Sequence, residues 1–151
     1  ESYEGKANIA NYKAELEAFI MHTLAQKYNG VSAPQMAIVS PTAFENLSAK
    51  IDLPNGTVQN ANMALYAQAM KEVCEKNNVL FINAFDASKK WYAESKEDLT
   101  IDGFQLNNAG YKKLSLFLAD QVFGKKKPAI ESKRADVYAA VAEKNWISHT
   151  D

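Results

Sequence analysis

Two unbroken apolar tetrads, Met36-Ala37-Ile38-Val39 and Val79-Leu80-Phe81-Ile82, constrain this chain more than anything else in it. Neither alternates with polar residues, so neither reads as a strand with one wet face. Each reads as a short strand buried on both faces of a parallel sheet. Ser40-Pro41 stops the first tetrad, and a long connection with helical spacing separates it from the second, which favours parallel pairing through a crossover.

The segments around the tetrads have helical periodicity. From about Ile9 to Tyr28, the residues Tyr12, Leu16, Phe19, Ile20 and Leu24 form one stripe, with Lys13, Glu15, Glu17 and Lys27 off it, and Asn29-Gly30 closes the helix. Asp52 to Gln59, with Pro54-Asn55-Gly56, is irregular. A second helix is expected from about Asn60 to Asn77, with Met63, Tyr66, Met70, Val73 and Cys74 on its inner face. A helix-like stretch through Trp91 and Tyr92 follows the second strand. A further helix is capped by Asn107, buries Tyr111, Leu114, Phe117, Leu118 and Val122, and stops at Gly124. The order helix, strand, helix, strand, helix, helix is α/β. A parallel sheet of two strands cannot bury both its faces and both its edges, so the chain reads as part of a domain.

Composition narrows the function. The 151 residues are 47% apolar, enough for a core, and a formal net charge of -1 offers no basic field for nucleic acid. No apolar run is long enough to span a bilayer. The lone Cys74 reads as a small buried hydrophobe. With it, the two histidines, His22 and His149, have no metal-ligand spacing, so no metal is expected. His22 is expected partly buried beside the stripe of the first helix. Glu45 and Asn46 follow the first strand and would stand at the carboxyl edge of a parallel sheet, where ligands bind, which makes them candidates for substrate contact.

The stretch Leu99-Thr100-Ile101-Asp102-Gly103-Phe104-Gln105-Leu106-Asn107-Asn108-Ala109-Gly110-Tyr111 is a polar loop running into a helix, with Gly103 allowing a tight turn between Asp102 and Gln105. It resembles the last sequence block of the SGNH/GDSL hydrolases, Asp-x-x-His followed by a leucine, a polar helix start and Gly-Tyr. In that family the Asp holds the His, and the His activates a serine near the start of the chain. Asp102 matches the Asp, and Gln105 stands at the His position. A carboxamide has no lone pair basic enough to take a proton near neutral pH. At a triad position that exchange removes on the order of 10²–10⁴ of rate from proton transfer alone.

The resemblance covers the order of elements from Tyr12 to Gly124, and the motif itself from Leu99 to Tyr111. It implies a three-layer α/β/α sandwich with a flavodoxin-like parallel sheet, of which the two tetrads would be the last two strands. It implies no cofactor, a missing N-terminal part of the same domain carrying the serine and the oxyanion donors, and a secreted or cell-envelope location. Residues 1–124 would then be the C-terminal portion of the domain. Residues 125–151, with the basic Lys125-Lys126-Lys127-Pro128 connector and an amphipathic helix through Ile130, Val137, Tyr138, Val141 and Trp146 to about Asn145, would lead to a following segment. Two functions stay open: an ester hydrolase portion acting on acyl, acetyl or carbohydrate esters and impaired by Gln105, and a non-catalytic module of that fold serving ligand binding or assembly.

Overall fold

The computed structural model describes residues 5–124 and 134–150, with side chains of the last helix described for 136–144. After a single 3-10 turn, α1 (Ile9–Ala25) leads to β1 (Ala37–Val39), α2 (Thr57–Lys76), β2 (Leu80–Ile82), α3 (Ala84–Glu94), α4 (Asn108–Phe123) and α5 (Arg134–Thr150). The fold is mixed, mostly helical with a small sheet. β1 and β2 pair in parallel, Ala37 with Leu80, Ile38 with Phe81 and Val39 with Ile82, and both are centred on the apolar tetrads.

Period-two geometry sends the paired Ile38 and Phe81 to one face of the sheet. There, with Met36, Leu16 and Leu24, they pack on a core of Ile20, Val73, Cys74 and Val79. All five residues expected on the inner face of α2 are buried. Cys74 is fully enclosed, and burial pushes its thiol pKa up. Tyr66 meets Tyr12 edge-to-face at 4.8 Å between ring centroids and donates its hydroxyl to the Gly5 carbonyl at 3.2 Å.

The helix ends have local causes. α1 stops at Ala25, before the expected Tyr28, because Gln26 is already extended. α2 starts at Thr57, three residues earlier than expected. Asn55 Oδ1 takes the Thr57 N–H at 3.0 Å, and Gly56 sits at φ +80° just before the helix. A Cβ at Gly56 would also lie 2.6 Å from the Phe44 ring. Asn78, at φ 52°, lets Val79 N–H return to the Cys74 carbonyl at 2.9 Å, which ends α2 where its Asn-Asn pair foretold.

Three burial expectations fail. The strands are only partly enclosed on the second face: Val39 is 38% and Leu80 43% exposed there, while Ile82 on the same face is fully buried. The inner stripe expected of α4 is only partly covered: Leu114, Phe117 and Leu118 are half-buried, Tyr111 and Val122 are exposed, and Gly110 alone is buried along the helix. α4 is held mainly at its start and by Phe117, whose ring stands edge-on to Trp91 at 5.5 Å. Phe19 and His22 also face outward on α1, because the core contacts of that helix run through Leu16, Ile20 and Leu24, four residues apart. α5 continues to Thr150, past the expected end near Asn145, with Val137, Tyr138 and Val141 exposed. The 125–133 connector and the His149 side chain lie outside the described residues.

Bare apolar surface on Val39, Leu80 and α4, beside a β1 edge with no further strand among the described residues, has a consequence in solution. The chain is expected to bind an apolar dye and to associate as its concentration rises, read by dye fluorescence and sedimentation velocity. A dye-silent monomer that melts in one cooperative transition would contradict this.

Candidate functional site

The segment leaving β1 has no regular structure, so each of its polar backbone groups needs its own partner. Ser40 N–H extends the ladder to the Ile82 carbonyl at 3.0 Å, and Ser40 Oγ accepts the Phe85 N–H at 2.9 Å. Ala43 N–H donates to Ser88 Oγ at 2.8 Å, and the Tyr92 hydroxyl donates to the Ala43 carbonyl at 3.1 Å. Asn60 embraces Phe44, accepting its N–H at 2.8 Å and donating to its carbonyl at 3.0 Å. The segment is thereby fixed through Ala43, Glu45 and Leu47, all buried.

Glu45 ends this run in a role the sequence did not suggest. At 6% exposed, it is too enclosed to meet a substrate. Its Oε2 accepts the N–H of Leu99 at 3.0 Å, the N–H of Thr100 at 2.7 Å and the Thr100 hydroxyl at 2.6 Å. Its own N–H donates to the Gly103 carbonyl at 2.7 Å. Asn46 is exposed and does not line the cleft, and its Oδ1 accepts the Ser48 N–H and hydroxyl at 3.1 and 2.7 Å. The expected substrate-facing pair is a loop clamp and a turn former.

The loop that Glu45 grips is the Leu99–Leu106 stretch. Thr100 and Leu106 form a one-residue antiparallel bridge, and Ile101 N–H donates to the Gln105 carbonyl at 2.8 Å. Gly103 turns the chain at φ +84°, and a Cβ there would lie 2.5 Å from the Phe44 ring. Asn107 caps α4, its Oδ1 accepting the Gly110 N–H at 3.0 Å while its Nδ2 donates to the Asp98 carbonyl at 2.7 Å. Gly110 is demanded by space: a Cβ would stand 2.2 Å from the Leu99 carbonyl oxygen.

Asp102 supports the turn. Its Oδ1 accepts the N–H of Gln105 at 2.7 Å and of Phe104 at 2.9 Å. Those bonds, Gln105's first and Phe104's second, hold its carboxyl below the usual carboxylate range. The side chains of Asp102 and Gln105 share no hydrogen bond, but the turn fixes one beside the backbone of the other.

Gln105 faces a shallow cleft of about 330 Å³ at the carboxyl end of the two strands. One wall is Val39 to Thr42, leaving β1; Ala84 closes the end of β2; Phe104 to Leu106, Tyr111 and Leu114 make the opposite side. Asp102 does not line it. None of the lining side chains is His, Cys, Asp, Glu or Lys, so nothing on the walls takes up a proton near neutral pH. Its polar side chains are the Ser40, Thr42 and Tyr111 hydroxyls and the Gln105 amide, and Ser40 is already engaged with Phe85. Phe104 and Tyr111 stand about half-exposed or more at the cleft; Tyr111 reads as core in the sequence, and Phe104 reads only as part of the polar loop. Ser40 was visible only as a strand stop.

Among the described residues no three His, Cys, Asp or Glu side chains cluster as metal ligands, and no helix is long and apolar enough to cross a membrane. Comparison of the chain with protein-family models, with curated proteins and with solved structures finds no match in any of the three.

A carboxyl depressed by native hydrogen bonds stabilises the loop fully above its unfolded value of about 4 and loses that contribution as pH falls through the lower folded value. The Phe104 and Gln105 amides are therefore expected to keep their protection from pH 7 to about pH 4 and lose it in stronger acid, with Asp102→Ala losing it at every pH. Amide exchange by NMR reads both, and protection independent of Asp102 would contradict the assignment.

Proposed function

We propose that this chain is the C-terminal portion of an ester hydrolase domain of the SGNH/GDSL type, directed at acyl or acetyl esters, carbohydrate esters among them, with an amide in place of its catalytic imidazole. The observation that supports it is the position of Gln105, at the cleft beyond the carboxyl ends of two parallel strands, on a turn built by an Asp three residues earlier. That is where open parallel sheets bind ligands. In this reading β1 and β2 are the last strands of a three-layer sandwich. An upstream part of the same domain completes the sheet along β1 and supplies the serine and the oxyanion donors.

Gln105 can donate to an ester oxygen or accept from a hydroxyl, so it can orient a substrate. It cannot accept the nucleophile's proton, and the lining residues offer no substitute. A second reading, a non-catalytic module that binds a neutral ligand in the same cleft, is favoured by one observation. Asp102 spends Oδ1 on two backbone N–H groups, a structural use that has value with or without a triad.

The two readings separate in the polypeptide that continues this chain upstream, assayed on p-nitrophenyl acetate. The native sequence is expected to turn over near the background rate. Gln105→His is expected to raise kcat by roughly 10²–10⁴ with little change in KM, because only proton transfer has been restored. No gain from a folded Gln105→His protein would overturn the hydrolase reading in favour of the binding module.

A further inference from the structure

The cleft has two walls that are far apart in sequence, and its shape depends on what ties them together. One wall is Ser40 to Thr42; the other is Phe104 to Leu106. Glu45 lies three residues beyond the first wall and grips the second through both side chain and backbone. The carboxylate takes the Leu99 and Thr100 N–H groups and the Thr100 hydroxyl. The same Thr100 Oγ accepts the Gly103 N–H at 3.1 Å, and the Gly103 carbonyl accepts the Glu45 N–H at 2.7 Å. This ring of hydrogen bonds starts and ends on Glu45, and it encloses the entry to the turn that carries Asp102 and Gln105.

We propose that Glu45 is the positioning residue of the site: by locking Leu99 to Gly103 onto the segment leaving β1, it fixes where position 105 stands in the cleft and how Asp102 sits beside it. The assignment rests on reading that cleft as the functional site. Among the described residues no cation is bonded to this buried carboxylate, and its bonds are made to loop donors alone. Such bonds are the strong, charge-assisted kind, and a loop without regular secondary structure has few other means of holding a register. Three donors converge on Oε2, and one amide oxygen at that point serves them nearly as well. Glu45→Gln therefore preserves the lock, whereas Glu45→Ala leaves two buried N–H groups without a partner.

The test uses this chain carrying Gln105→His, with the introduced imidazole titrated through its Cε1 proton by NMR. With Glu45 in place, the adjacent Asp102 carboxylate is expected to raise the pKa of that imidazole by roughly half a unit to one unit above its ordinary value of about 6.5. Adding Glu45→Ala should return it to about 6.5, while Glu45→Gln keeps most of the rise, a pattern that a uniform loss of stability does not produce. If Glu45→Ala fails to fold, Thr100→Val breaks the relay to Gly103 and is expected to remove part of the rise. A raised value that survives both Glu45→Ala and Thr100→Val in folded protein would overturn the proposal. So would an ordinary value with Glu45 present. Because no ester and no upstream residue takes part, this titration succeeds or fails separately from the esterase assay.

Discussion

A buried carboxylate that accepts the backbone N–H groups of Leu99 and Thr100 and the Thr100 hydroxyl is the contact on which the site depends. Residues 99–106 belong to no helix and to only one isolated bridge, so a polar backbone here has to find partners one at a time or stay wet. Glu45 supplies partners at the loop's entry, Asp102 in its middle and Asn107 at its exit into α4. Around these, Gly103 and Gly110 remove the two methyl groups that would collide with Phe44 and with the Leu99 carbonyl. The result is a rigid support for a cleft that would otherwise be bounded by two wandering segments.

The loop's own backbone accounts for most of the residues that the proposed hydrolase reading picks out. Asp102, Gly103, Asn107 and Gly110 each satisfy a local demand of the backbone: a turn acceptor, a positive φ, a helix cap and a close approach. None of those demands concerns the side chain at 105. An imidazole there would fit the same loop and add a proton acceptor; the amide leaves a polar contact that neither takes nor gives a proton at neutral pH. On the hydrolase reading proposed above, the loop's structure does not depend on its chemistry, and position 105 alone would decide whether a proton is taken.

Much of the fold was readable because the tetrads and the α2 stripe carry strong, unambiguous periodicity. Met63, Tyr66, Met70, Val73 and Cys74 are all buried, and the two strands pair in parallel. How far the sheet's second face and the α4 stripe are covered was not readable, because periodicity states which residues share a face and is silent on whether anything covers it. Val39 and Leu80 stay exposed on the face where Ile82 is buried, and Val122 stays exposed beyond the half-buried Leu114, Phe117 and Leu118. At the site, the Asp102–Gln105 turn and the Asn107 cap followed from residue types at fixed spacing. The role of Glu45 did not, since its partners lie 54 and 55 residues away and a lone Glu-Asn pair carries no local signature.

Residues 99–103 are locked by the bonds Glu45 makes across the chain together with the turn's own bonds, which by themselves do not hold the stretch. Native-state hydrogen exchange at Leu99, Thr100 and Gly103 tests this lock most directly. These amides are expected to exchange only through opening of the whole domain, with protection matching that of the α2 core around Val73. Exchange at the rate of an unstructured peptide, while α2 stays protected, would contradict it.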